Sequence, residues 1–186
     1  MGGLDARYVI SHLNMHKFKI NSLTTLGTPH HGSSFMDYLS KQLGLGSKRP
    51  ILNEATVNHQ HLLKKSNLSN TTTNAILKVI FSPIDAPAFY NLTSEYCALF
   101  NHVSPNHPAT RYFSYASKCK ITDLTLPLYY SQLIVSKYEG DNDGIVSVKS
   151  AQWGEVLGVL EVDHWNYTKN TTLFLEISDK LSKQGL

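Results

Sequence analysis

Two kinds of apolar run alternate along this chain, and that alternation limits the folds open to it more than any single residue does. Ala6, Val9, Ile10 and Leu13 recur at i, i+3, i+4 and i+7, the stripe of an amphipathic helix. From Phe18 to Gly27, Ile20, Leu23 and Leu26 stand among Thr24 and Thr25, and Gly27-Thr28-Pro29 stops the run, so a buried strand entering a loop is predicted. Phe35, Leu39 and Leu43 form a second helical stripe. A further helix is predicted where Leu92, Tyr96, Leu99 and Phe100 share a face, with Thr93 as its N-cap. Arg111 to Ala116 has strand composition, and Leu157, Val159 and Leu160 make a last hydrophobic stretch before a polar turn. Helix, strand, helix, strand in that order predicts an α/β fold on a parallel sheet, with no internal repeat.

With 41% hydrophobic and 17% charged residues among 186, the chain can bury one domain-sized core. Its net charge of +3 is mild, and Lys48-Arg49 and Lys64-Lys65 are isolated pairs, so nucleic acid is not an expected partner. No apolar stretch approaches the roughly 20 residues of a membrane span, so no transmembrane segment is expected. The start has neither the basic nor the apolar region of a signal peptide. Cys97 and Cys119 lie outside any C-x-x-C spacing, which argues against a metal or thioredoxin-like role and leaves a bridge between them open. Asn-x-Ser/Thr sequons at Asn67, Asn70, Asn91, Asn166 and Asn170 permit secretion, and no compartment is assigned.

The chain opens Met1-Gly2-Gly3. Small residues just after a G-x-S-x-G nucleophile elbow let strand and helix pack closely, and a helical stripe follows these two glycines. On this run the chain resembles the lipases of the α/β-hydrolase superfamily, whose elbow commonly reads G-H-S-M-G-G; taken alone, the run reads more simply as an initiator methionine ahead of a flexible glycine pair. Leu23 to Ser33 is similar to the strand and loop after the elbow helix in many lipases, and Arg111 to Ala116 to the strand preceding their acid. The resemblance implies the C-terminal part of an α/β-hydrolase fold over 1–186: a parallel sheet with helices on both faces and a helical cap or lid insertion at 36–90. Phe35 to Phe81 does loosen into short apolar pieces broken by Gly44-Leu45-Gly46, Arg49-Pro50 and the polar run Ser66 to Asn74. An ordinary helical insertion packed on the body fits that pattern as well as a lid.

Pro29-His30-His31-Gly32-Ser33-Ser34 admits three readings: zinc ligation, an H-G oxyanion turn, or a structural loop in which Ser33 or Ser34 caps a helix. The cap is favoured, because adjacent histidines do not share a helix face and no carboxylate or cysteine set lies nearby. Glu139-Gly140-Asp141-Asn142-Asp143-Gly144-Ile145-Val146 carries the clearest chemistry, a tight turn able to expose a carboxylate at the mouth of a sheet. The spacing of the acids and the absence of a glutamate at the twelfth place argue against an EF-hand loop. The lipase resemblance, through its N-D-G-L/I-V motif, makes Asp143 the triad acid and Asp141 the lesser candidate. Asp163-His164 follows the last hydrophobic stretch about twenty residues after that acid, so His164 is the expected catalytic base in the order Ser, Asp, His. In bacterial relatives a calcium-binding aspartate stands two residues after the histidine; Asn166 is there instead, and neither metal nor other cofactor is expected.

The implied reaction is hydrolysis of an acyl ester or lipid, with transient contact to a lipid surface. The nucleophilic serine is expected one residue ahead of Met1, and the Met1 backbone nitrogen as one oxyanion-hole donor. A chain starting at Met1 is thus expected to be inactive and, with an apolar edge left on its first strand, poorly soluble. A gene model begun at the elbow methionine explains that start better than a natural remnant, since the acid and histidine motifs are intact. Two further readings stand beside the hydrolase: a catalytically inactive remnant that binds lipid or a partner, and replacement of the nucleophile by Ser33, Ser34 or Ser147, none of which has elbow geometry.

Overall fold

The computed structural model describes residues 1–13, 19–43, 87–169 and 171–186. Three parallel strands, β1 (Ser22–Leu26), β2 (Arg111–Ser117) and β3 (Glu155–Leu160), lie side by side in that order. Ser22 to Leu26 pair in register with Arg111 to Tyr115, and β2 continues onto β3 with a bulge at Ser114/Tyr115. Parallel neighbours need long crossovers. Those described here contain α2 (Ser34–Leu43), α3 (Pro87–Tyr90) and α4 (Ser94–Val103) before β2, then α5 (Tyr129–Glu139) and α6 (Val148–Ala151) before β3. α1 (Gly2–His12) precedes the sheet and α7 (Thr171–Lys183) follows it.

Successive side chains of a strand point to opposite faces, and β2 uses both. Tyr115 packs with Tyr167, Leu173 and Ile177, which sets α7 on one face. Its neighbour Ala116 packs with Val146 and Ala151, which sets α6 on the other. The predicted α/β architecture is therefore the one the described residues adopt, with helices on both sides of a parallel sheet. A separate core joins Phe35, Met36 and Leu39 of α2 to Ile134 and Val135 of α5. Each such fully buried side chain contributes about 1.5–3 kcal/mol. Within the expected 36–90 insertion, residues 36–43 and 87–90 are helical and pack on this body; 44–86 lie outside the described residues.

α1 departs from its expected stripe. The inward side carries Leu4, Arg7 and Ile10, while Leu13, just past the helix end, is 56% exposed. Gly3 explains the rotation: a Cβ there would run into the side chains of Thr25 and Thr28, so the helix rests on β1 through its glycine. α4 begins as predicted, with Thr93 Oγ1 accepting from the Tyr96 amide at 3.3 Å, but its buried residues are Cys97 and Phe100. Cys97 and Cys119 are both free thiols, so the bridge left open by the sequence is not formed. Among the described residues no helix is long and apolar enough to cross a membrane.

Candidate active site

Parallel strands all end on one side of the sheet, and in open α/β sheets that side carries the chemistry. At the exit of β2, the Lys118 amide donates to the Leu160 carbonyl and the Cys119 amide to the Asn142 carbonyl, each at 2.9 Å. These bonds fasten the loop after α5 to the ends of β2 and β3. The loop turns because Asn142 Oδ1 accepts from the Gly144 amide at 2.9 Å while its Nδ2 donates to Ser136 Oγ and the Gly140 carbonyl. Gly144 sits at φ 105°, in the region that favours glycine.

Asp143, held at the tip, is fully buried. Its Oδ1 accepts from the amides of Ile145 (3.1 Å) and Val146 (2.8 Å). Its Oδ2 lies 2.8 Å from His164 Nδ1 and 3.3 Å from both Ser117 Oγ and the Tyr167 hydroxyl. The His164 amide also donates to the Asp143 carbonyl at 2.9 Å, so backbone and side chain both tie the two residues together. Asp141, the lesser candidate, points outward and pairs with Lys118 at 3.3 Å.

The turn bearing His164 is anchored by Asp163, whose carboxylate accepts from Thr125 Oγ1 (2.6 Å), the Thr125 amide (3.1 Å) and the Trp165 amide (3.0 Å). Burial pushes this carboxyl upward, but the bonds from Thr125, Trp165 and Asn166 outweigh it and hold the group below the ordinary carboxylate range. Tyr167 closes the far side of the cluster. Its phenol, driven well upward by burial and then by Asp143, stays protonated, and its ring fills the space that a Cβ on Gly27 would need. Neither the Thr125 anchor nor Tyr167 follows from the motifs; the one local hint was a polar, aromatic turn, Asp163 to Tyr167, after an apolar stretch.

A cavity of about 310 Å³ opens beside this pair, lined by Met1, Gly2, Gly3, Thr28 and His164 among others. Met1 is the N-cap of α1, its carbonyl accepting from the Leu4 amide at 2.7 Å, so the positive end of the helix dipole faces the same opening as His164.

The Pro29–Ser34 loop is structural. Ser33 Oγ accepts from the Phe35 amide at the start of α2 and donates to the Ile145 carbonyl at 2.5 Å. Ser147 Oγ caps α6 and donates to Glu139, which also accepts from the Ser34 amide. The hydroxyls of Ser33 and Ser147 are thus engaged in structural bonds, whereas Ser34 is held through its amide and its Oγ is buried without a hydrogen-bond partner among the described residues.

His30 belongs to a buried cluster that the sequence did not disclose. Arg7, 1% exposed, donates to Asn101 Oδ1 (2.8 Å), His30 Nδ1 (3.3 Å) and the Ser104 carbonyl (3.2 Å), and its guanidinium lies 3.5 Å from the centroid of the Trp153 ring. Burial lowers Arg7 to about 10; burial, then the Arg7 charge, lowers His30 to about 3. The clue in the sequence was an arginine three residues from both Leu4 and Ile10, inside the inward row of a helix. Among the described residues, no three His, Cys, Asp or Glu side chains gather as metal ligands do.

No family model matches the chain. Triacylglycerol lipase 2 of Saccharomyces cerevisiae is 30% identical over 216 residues, covering 100% of this chain and 56% of the yeast protein. The chain thus spans just over half the length of that relative. Among solved structures it is similar to the mature lipase BlEst2 of Bacillus licheniformis, with a TM-score of 0.64 at 23% identity over 97% of this chain and 62% of that one. The lipase of Staphylococcus hyicus gives 0.61 at 17% identity over 98% and 68%. Lipase 1 of Pelosinus fermentans gives 0.61 at 17% identity over 98% and 69%. At these identities the structural likeness is one of fold.

Proposed function

Because this chain belongs to the lipase and esterase family of α/β-hydrolases, we propose that it supplies the acid and base of a Ser-Asp-His triad that hydrolyses carboxylic esters, with triacylglycerol or another acyl lipid as substrate. Asp143 is the acid, His164 the base, and the nucleophile is a serine on the residue directly ahead of Met1. The observation that carries this reading is the 2.8 Å contact from His164 Nδ1 to the buried Asp143 carboxylate, beside a cavity that His164 shares with Met1 and the two glycines after it.

The chemistry follows from that contact. A carboxylate can only accept, so the proton of a neutral His164 resides on Nδ1, and Nε2 is left to take the serine proton. As the alkoxide attacks the ester carbonyl, His164 becomes an imidazolium and Asp143 stabilises it without taking the proton. The Met1 nitrogen, a peptide amide once a residue precedes it, donates to the oxyanion with the start of α1 behind it. His164 then protonates the leaving alcohol, and water repeats the sequence on the acyl-serine.

The test is to express the chain with its encoded upstream residues, including G-x-S before Met1, and to assay short and long acyl esters beside His164→Ala. Hydrolysis and labelling by a serine-trapping phosphonate are expected in the extended protein and not in the variant. Equal hydrolysis by His164→Ala, or labelling of Ser33, Ser34 or Ser147, overturns the assignment.

A further inference from the structure

A carboxylate offers about four lone-pair sites. Oδ1 of Asp143 has two occupied by the amides of Ile145 and Val146. On Oδ2, His164 Nδ1 takes one, and a single site remains for two hydroxyls, Ser117 Oγ and Tyr167 OH, each at 3.3 Å. These hydroxyls are also hydrogen-bonded to each other. Two protons therefore serve two places: one lies between the hydroxyl oxygens, since a close oxygen pair without a proton repels, and the other reaches Oδ2. Either Tyr167 donates to Ser117 and Ser117 to Asp143, or the order runs the other way. Both arrangements fill the same fourth site.

We propose that Ser117 and Tyr167 form an interchangeable pair of positioning residues that always delivers one proton to Asp143 Oδ2, so that losing either hydroxyl leaves the acid fully bonded and losing both does not. The fold supplies the pair from two directions. Ser117 is the last residue of β2 and 1% exposed; Tyr167 comes from the segment after His164, stacks edge-on to its ring at 6.2 Å, and is 6% exposed. With the fourth site empty, Oδ2 has only His164 as a side-chain donor, and the carboxylate charge acts on the imidazole undiluted. Other ionisable groups around His164 are Asp143 on the acid loop, Asp163 on its own turn, and the Met1 nitrogen across the cavity.

The proposal rests on Asp143 and His164 acting as the acid and base, yet its test needs no turnover. In the ¹⁵N-labelled chain at fixed pH, the His164 Nδ1 resonance is compared in Ser117→Ala, Tyr167→Phe and the double variant, with Asp143→Asn to mark the shift produced by losing the carboxylate charge. Small shifts are expected in both single variants and a shift larger than their sum in the double. A double variant that equals the sum of the singles, or one single that matches the double, overturns the interchangeable pair. If the double variant does not fold, Ser117→Cys with Tyr167→Phe keeps the side-chain volume while replacing a strong donor by a weak one, and the same comparison applies. Failure of the ester assay with this non-additivity intact would reject the hydrolase reading and leave the pair standing; the reverse result would do the opposite.

Discussion

His30 makes the protein acid-sensitive in a window that can be calculated. Arg7 can only donate, so His30 Nδ1 must accept from it; the imidazole proton then sits on Nε2 and points to Thr25 Oγ1 at 3.0 Å, and the threonine hydroxyl passes on to the Phe113 carbonyl at 3.3 Å. A second proton on His30 would place a charge in a fully buried site, without an acceptor and 3.3 Å from a guanidinium. The folded protein therefore refuses it until about pH 3, whereas the unfolded chain takes it near 6.5. Because the unfolded state binds more protons between those values, stability is full above pH 6.5 and falls as the solution is acidified through it. At pH 4.5 the loss from this one residue is about 3 kcal/mol. That pH lies above the unfolded carboxylate value of 3.8 for Asp163, whose own contribution is lost only lower down. His30→Gln keeps an acceptor for Arg7 and a donor for Thr25 but does not titrate. It is expected to be less stable than the parent at pH 7.5 by about 1–3 kcal/mol, and to close that gap by about 3 kcal/mol at pH 4.5. Urea unfolding followed by circular dichroism at both pH values reads this directly. A gap that stays constant between the two pH values refutes the assigned tautomer and the role of Arg7.

Three other perturbations have signed outcomes. Gly27→Ala puts a Cβ at φ 55° into the Tyr167 ring, and a loss of about 2–4 kcal/mol is expected, seen as a lower melting temperature and as exposure of Tyr167 to solvent quenchers. Thr125→Val removes the 2.6 Å bond to Asp163 while leaving the amide bond, so about 1–2 kcal/mol is lost and amide exchange rises at Trp165 and Asn166 before it rises in β3. In the upstream-extended protein, Asp143→Asn is expected to lower kcat about 10⁴-fold with little change in KM, because the tautomer of His164 is lost and the substrate contacts are not.

Much of this architecture was legible because the residues that set it are local. The Thr93 cap is a local bond, and the strands ending at Gly27-Thr28-Pro29 and starting at Arg111 are marked by composition and turn residues within a few positions even though their ladder pairs Ser22 with Arg111; each lies where the sequence predicts it. Asn142-Asp143-Gly144 was readable for the same reason, since an Asx turn is written in consecutive positions. What the pattern missed depends on contacts distant in sequence. Arg7 finds its partners at His30, Asn101, Ser104 and Trp153, and an apolar periodicity has no way to count a buried charge as inward-facing. Of the stripe Ala6, Val9, Ile10 and Leu13, Ile10 therefore lies in the buried row of α1, Ala6 and Val9 lie at its margin and Leu13 is exposed, although the helix itself was plain. Thr125 with Asp163, and Ser117 with Tyr167, bridge 38 and 50 residues, beyond what any spacing rule reaches.

That division by sequence distance also orders the site. Each side-chain and amide donor found on the Asp143 carboxylate comes from residues 117–167, and the anchor of the His164 turn comes from Thr125, so the proposed acid and base are organised by β2, β3, the loop between them and the turn after β3. The start of α1 reaches the same cavity by a separate route: Gly3 seats α1 on β1, and Arg7 fixes that helix to α4 and to the loop carrying His30. The two halves meet through β1, whose exit at Gly27 is packed by Tyr167, the residue that also touches Asp143. A change confined to α1, such as Arg7→Met, should therefore displace Met1 relative to His164 while leaving the Asp143–His164 contact intact. Strain at Gly27 should disturb both together, because that glycine is where the Tyr167 ring and the end of β1 compete for the same space.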